Sequence, residues 1–244
     1  MSTILILGST SDIGHAVSDR YLENEFDVIL AARNDASRKI QVKELSVLFP
    51  KRTIYDVSFD VNDTQSHASF YEALPVKPDG VITLIGYLGE QKVSELSIQE
   101  TQAVFNANFL GNISILNLIA NDFEKRQSGF IIGVSSVAAE RGRKSNYIYG
   151  SAKAGFDAYL SGLRNRMFGS NVTVLTVRPG FVATKMTQHL NLPKLLTATP
   201  QQVANAIFKG QRRKKNLVYV KWMWRMIMLI IRNIPEFIFK RLNL

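Results

Sequence analysis

Ser136 precedes Tyr149 by thirteen residues, and Lys153 follows that tyrosine by four. On a helix, a spacing of four puts Tyr149 and Lys153 on one face. An ammonium beside a phenol favours the phenolate and lowers its pKa. Tyr149 is then expected to exchange a proton near neutral pH, where free tyrosine stays protonated. Ser136 would hold a carbonyl or alcohol oxygen for that transfer. Tyrosine and lysine at this spacing are, by themselves, more often a surface pair. The Ser135-Ser136 pair just after an apolar run is what favours chemistry.

The elements that must position these residues are legible as an alternation. The runs 4–7, 28–31, 53–57, 81–85, 130–134 and 172–177 are short, apolar and rich in Val and Ile. Longer segments with helical periodicity separate them, among them 148–167, which carries Tyr149 and Lys153. The pattern predicts an α/β fold, a Rossmann-type doubly wound parallel sheet with helices on both faces. The opening residues Met1–Leu7 lack a basic stretch and read as a first strand, not as a signal peptide. There are no cysteines, which removes disulfides and thiolate chemistry. No metal site is expected.

The first turn, Gly8-Ser9-Thr10-Ser11-Asp12-Ile13-Gly14, lies between a strand and a helix. Glycines there let the backbone approach a pyrophosphate, and the helix N-terminus favours its charge. Asp12 has the side chain of a helix cap. The second strand ends at Arg33, a residue type that accommodates a ribose 2′-phosphate, while Asp35 keeps a 2′-hydroxyl partner open. NADP(H) is therefore preferred, with NAD(H) possible. Pro179-Gly180 forces a turn after the sixth strand.

Together these residues resemble the short-chain dehydrogenase/reductase family, over about residues 3 to 210. The resemblance implies a catalytic set of Asn108, Ser136, Tyr149 and Lys153, with Asn108 and Gly111 bending a helix (about 98–122) and holding a water of a proton relay. It implies that Lys153 also binds the cofactor ribose, that Asp60-Val61 contacts adenine, and that Gly86, Val182 and Thr184 border the cofactor. Residues 185–199 then form a substrate lid. Two departures stand out. Asp12 replaces a glycine usual in the first turn, and Thr83-Leu84 replaces a pair of asparagines before Gly86.

Two features are narrower. Arg141, Arg143 and Lys144 lie between the serine and the tyrosine. They suggest an anionic substrate group, most simply phosphate, against the bland reading of a solvated basic loop. The second is charge distribution: of the formal net charge of +10, residues 201–244 hold +9. The segment 222–231 mixes Trp, Met and Ile with spaced cations. As a helix it would be about 15 Å long, half of a bilayer core, so it suits an interface and not a span. The segment 235–244 repeats the theme. A nucleic-acid partner is not expected, because so apolar a tail does not suit phosphate-backbone binding. A helix buried in a dimer contact is the bland alternative. The chain is thus divided into a catalytic domain, 1–210, and a basic, apolar tail, 211–244, that meets a membrane or a protein.

The stretch 129–190 and the tail are similar to one branch of that family, the reductases of decaprenylphosphoryl-ribose 2′-epimerisation. This resemblance implies a keto sugar on a polyprenyl phosphate as substrate, a partner flavin oxidase, and cell-envelope glycan synthesis. It places a homo-oligomeric reductase on the inner face of the cytoplasmic membrane. The alternatives are a reductase of another lipid-like ketone, ketoacyl or keto-steroid, and a non-catalytic nucleotide sensor.

Overall fold

The computed structural model describes residues 2–188 and 191–242. Seven strands form one parallel sheet: β1 Thr3–Leu7, β2 Asp27–Ala32, β3 Ile54–Ser58, β4 Gly80–Thr83, β5 Gly129–Val134, β6 Val172–Pro179 and β7 Leu217–Val220, in the order β3-β2-β1-β4-β5-β6-β7. The order reverses between β1 and β4. There the chain ends of the two strands diverge, which opens the crevice where doubly wound sheets take ligands.

The helices are α1 Asp12–Leu22, α2 Asp35–Leu48, α3 His67–Glu72, α4 Gln91–Leu96, α5 Ile98–Phe105, α6 Gly111–Arg126, α7 Tyr147–Arg166, α8 Pro200–Arg212, α9 Met223–Asn233 and α10 Glu236–Phe239. Alternation along the strands divides the core. Ile4 and Ile6 point to α1, α2 and α8, through Val17, Leu45 and Ile207. Leu5 and Leu7 point the other way, toward α6 and α7, through Ile119 and Phe156. The stretch Ile98–Arg126 is long and apolar enough to cross a membrane. Its Ile115, Leu116 and Ile119 are fully buried in the core, which accounts for the apolarity.

One expectation changes here. The sheet does not stop at residue 210, because β7 pairs with β6 from Thr176–Leu217 to Pro179–Val220. The boundary drawn at 210/211 therefore falls inside α8 and separates β7 from the rest of its sheet. The long helix is distorted around Asn108, where the resemblance implies a bend. Between α5 and α6 it widens into a π turn, Asn106–Leu110, a distortion that gathers at functional sites.

Asp12 is not the cap of α1. Ser11 is: its hydroxyl accepts from the Gly14 N–H at 3.0 Å. The Asp12 carboxylate instead accepts from the Lys185 N–H at 2.7 Å. Adjacent serine and aspartate suit the cap about equally, and the backbone geometry of Ser11 decides it.

Candidate active site

Strand β5 ends at Val134, and the chain turns through Ser135 and Ser136 into a short 3₁₀ turn, Val137–Ala139. The Ser136 hydroxyl accepts from the Ala138 N–H at 3.1 Å, which fixes its direction. Helix α7 then delivers Tyr149 and Lys153 one turn apart. Ser136, Tyr149 and Lys153 line one cavity of about 700 Å³. Gly86, Pro179, Gly180, Val182 and Thr184 line it as well, and so does Ile13 of the first turn. The spacing that suggested chemistry does bring the three groups together.

The electrostatics differ from the expectation. Burial pushes the Tyr149 phenol up to about 12, and the Ser136 hydroxyl pulls weakly the other way. Lys153 does not lower it. The ammonium lies 5.8 Å from the centre of the phenol ring and donates to the Val134 carbonyl at 3.1 Å. Burial lowers Lys153 itself to about 8, while Asp157, one turn further along α7, raises it. At neutral pH Lys153 is thus mostly charged and Tyr149 is a neutral phenol. Desolvation outweighs the Asp157 charge for Lys153 and the Ser136 hydrogen bond for Tyr149.

Asn108 is fully buried behind the cavity wall. Its amide donates to the Tyr87 carbonyl at 2.6 Å and the Val104 carbonyl at 2.8 Å, and accepts from the Tyr87 N–H at 3.2 Å. The side chain is spent on holding the 86–87 segment. A Cβ at Gly86 would meet Asn108 Oδ1 at 2.9 Å and Lys153 Nζ at 3.2 Å. Asn108 therefore positions the strand end beside Lys153, and its side chain has no N–H left to donate in a relay. Thr83, in place of an asparagine, gives its hydroxyl to Asn112 Oδ1, so one side-chain amide still ties β4 to α6.

The residues expected to hold a dinucleotide fit one. Gly8 has a φ of +85°, which L side chains rarely adopt, and a Cβ at Gly14 would meet the Ser9 carbonyl at 2.3 Å. This is the tight strand-to-helix turn that lets backbone approach a pyrophosphate. Ser9 Oγ is buried there without a hydrogen-bond partner among the described residues. Thr10 and Asp12 line a second cavity of about 930 Å³ that shares Thr184 with the first. Arg33, Asp60 and Val61 lie away from both cavities, at the far ends of β2 and β3. Val61 is buried, and a Cβ at Gly111 would come within 2.0 Å of its carbonyl oxygen, so α6 seats that turn.

The three basic residues part company. Arg141 donates to the carbonyls of Ile231 and Ile234, both at 2.6 Å, pairs with Glu236 at 2.9 Å, and covers the Phe239 ring at 3.6 Å. It holds the end of α9 and is not a substrate ligand. Lys144 is exposed to solvent. Arg143 lines the catalytic cavity, and its Nε is buried without a hydrogen-bond partner among the described residues. Burial lowers its pKa, and Glu140 raises it. In a loop, successive side chains follow no period, so spacing alone could not separate them.

Sequence reasoning missed the charge network behind the cavity. Arg178 pairs with Asp157 and with Glu140 at 3.4 Å, and Glu140 accepts from the Tyr219 hydroxyl at 3.0 Å. The only available signal was that Asp157 lies four residues beyond Lys153. The expected lid, 185–199, is described at 185–188 and 191–199. It is pinned at its far end by the Val182–Ala198 bridge; His189 and Leu190 lie outside the described residues.

A Rossmann sheet with a glycine turn, and a serine, tyrosine and lysine in one cavity beside it, defines a nicotinamide-dependent oxidoreductase. The family model described as short chain dehydrogenase matches residues 2–194. An uncharacterized oxidoreductase of Mycobacterium tuberculosis is 31% identical over 98% of this chain and 96% of its own. The ketoacyl reductase HetN of Nostoc is 25% identical over 89% of this chain and 78% of its own. In three dimensions, a short-chain dehydrogenase from Sphingobium yanoikuyae, solved with NADPH, superposes with a TM-score of 0.83 over 97% of both chains at 17% identity. The chain belongs to the short-chain dehydrogenase/reductase family, and it is an NAD(P)-dependent oxidoreductase.

Proposed function

We propose that this enzyme reduces the ketone of a keto sugar carried on a polyprenyl phosphate, with NADPH preferred over NADH. It would act in cell-envelope glycan synthesis at the cytoplasmic face of the membrane, on a ketone made by a partner flavin oxidase, and as a homo-oligomer. The observation that carries the reading is the cavity itself: a neutral phenol, a serine hydroxyl and the Arg143 guanidinium, whose Nε has no hydrogen-bond partner among the described residues, face one space. The first two handle a carbonyl, and the third suits an anion on the same molecule.

The nicotinamide, when bound, supplies the hydride to the carbonyl carbon. The chain does the rest. Ser136 donates to the carbonyl oxygen and orients it. Tyr149 gives its phenolic proton to that oxygen as the C–H bond forms and is left as a phenolate, to be reprotonated from solvent. A phenol that stays protonated at neutral pH is the form a reductase needs. Lys153 would also reach the cofactor ribose, with Gly8 to Gly14, Gly86, Pro179, Val182 and Thr184 along the cofactor and Asp60-Val61 at its adenine.

The preference for NADPH rests on the end of β2. Arg33 is exposed and makes no hydrogen bond or ion pair among the described residues. Asp35 is engaged by Arg38 at 2.6 Å and Lys39 at 2.7 Å, so a 2′-hydroxyl would have to displace an ion pair. A 2′-phosphate finds Arg33 free.

A second reading, a ketoacyl or keto-steroid substrate, is favoured by Leu88, Phe181 and Met186 in the cavity wall. Turnover of NADPH with a lipid-borne keto sugar phosphate, a soluble keto sugar and a ketoacyl thioester decides between them. The proposal expects the first to be preferred by at least tenfold in kcat/KM. A preference for the thioester would overturn it.

A further inference from the structure

Helix α9 has two apolar faces. Trp224, Ile227, Met228 and Ile231 follow the helical repeat and face inward. Trp224 and Met228 are buried against Val137, with Phe181 and Leu196 packed around them. Trp222, Met226, Leu229 and Ile230 follow the same repeat and face out, 74, 49, 55 and 66% exposed. Phe237, from α10, adds another exposed ring. Scattered exposed apolar residues are ordinary, but a contiguous stripe on one helix marks an interaction surface.

The charges around the stripe are mostly cations, of which Arg232 pairs with Glu140 at 3.3 Å. Arg225 and Arg232, both on α9, fall within about 20° of one another along one border of it, at about 100° per residue, and Lys221 precedes the helix and donates to the Leu195 carbonyl at 2.8 Å. Arg212, Arg213, Lys214 and Lys215 lie just before β7, and Lys240 and Arg241 follow α10. The acid of this region, Glu236, is taken by Arg141. Apolar side chains rimmed by cations match an anionic bilayer, whose acyl boundary takes the former and whose phosphates take the latter. A second copy of the same face would set cation against cation.

We propose that the outer face of α9 and α10 is a docking surface for anionic phospholipid. It rests on the membrane placement above and not on the identity of the substrate. The inner face of the same helix backs the catalytic cavity. A Cβ at Gly180 would sit 1.9 Å from the Trp224 ring, and the Trp224 N–H donates to the Leu196 carbonyl at 3.0 Å. The helix that lies in the lipid is thus the helix that supports the cavity wall, which suits a substrate with a lipid anchor.

The test is co-sedimentation of the full chain with phosphatidylcholine vesicles, with and without phosphatidylglycerol, over a salt series. Binding should need the anionic lipid and weaken as salt screens it. Replacing Leu229 and Ile230 with Ser should weaken binding at least a hundredfold, since both side chains would lose their place in the acyl boundary. Lys221→Gln with Arg225→Gln provides a second variant that leaves the apolar stripe intact and should flatten the salt dependence. Reduction of a water-soluble ketone should be unchanged in each. The proposal is overturned if the chain ignores anionic vesicles at low salt. It is overturned equally if the serine variant turns a dimer into a monomer, which would assign the face to a second copy. Either outcome, with soluble ketone still reduced, leaves the ketoreductase reading standing.

Discussion

Gly180 lies flat against the indole of Trp224, so that the loop after β6 and the C-terminal helix touch where any side chain would intrude. A methyl group at 180 would overlap the ring, and ring atoms cannot retreat without moving α9. Gly180→Ala should destabilise the protein by about 1–3 kcal/mol, the usual cost of overpacking. Thermal unfolding would show it as a lowered Tm, and protease cleavage after Arg225 should quicken as α9 unseats.

The depressed pKa of Lys153 makes a stability prediction. Its folded value of about 8 lies below the ordinary 10.5, so the unfolded chain binds the proton more readily. Between these values the folded state gains relative stability as pH rises. Below about 8 the full penalty applies, on the order of 3 kcal/mol at about 1.4 kcal/mol per pH unit. Lys153→Met should therefore be inactive yet more stable than the parent at pH 7, by up to that amount less the lost bond to Val134. Urea unfolding at pH 7 and pH 10 should show the advantage shrinking as pH rises.

Catalysis should show the opposite signs for its two directions. Reduction uses the protonated phenol, which burial maintains well past neutrality. Its kcat should stay level through pH 7 and fall as Lys153 loses its charge near 8. Alcohol oxidation needs the phenolate and should rise with pH over the same interval. Initial rates in both directions across pH 6 to 10 check this; parallel profiles would contradict it.

Arg141 and Arg143 are two residues apart and should fail differently. Arg143→Gln should raise KM for a phosphate-bearing ketone by about ten- to a hundredfold, from about 1.5–3 kcal/mol for a charged hydrogen bond, and leave a neutral ketone untouched. Arg141→Gln should lower Tm, because it removes the donor to the Ile231 and Ile234 carbonyls, and should alter KM for both substrates alike. Steady-state kinetics with paired charged and neutral ketones separates the two.

Arg33→Ser should raise KM for NADPH by about ten- to a hundredfold on the same reasoning and change KM for NADH little. Equal losses with both cofactors would mean that Arg33 does not meet the 2′-phosphate.

What could be read in the chain was whatever has a period or a fixed spacing. The short apolar runs such as Ile4–Leu7 and Phe130–Val134, separated by helical segments, foretold a sheet covered on both faces, and the four-residue step from Tyr149 to Lys153 foretold one helix face. Strand β7 escaped because it is short, lies at the sheet edge, and follows four consecutive cations that obscure its Val-Tyr-Val run. The cap of α1 was assigned to Asp12 because two neighbouring polar residues compete, and only backbone direction chooses Ser11. Sequence displays a neighbour's charge but not the water that burial removes, so the rise of the phenol's pKa is visible only in the fold. Arg141 was grouped with Arg143 because its partners, Ile231 and Glu236, lie some ninety residues away.

The central claim is that Tyr149 hands its proton to a carbonyl held beside a bound nicotinamide. Tyr149→Phe keeps the ring and deletes that proton. NADPH binding, followed by its fluorescence, should be unchanged, while ketone turnover should fall by roughly a hundred- to ten-thousandfold, the usual share of a general acid. Turnover at the parent rate with cofactor bound would contradict it.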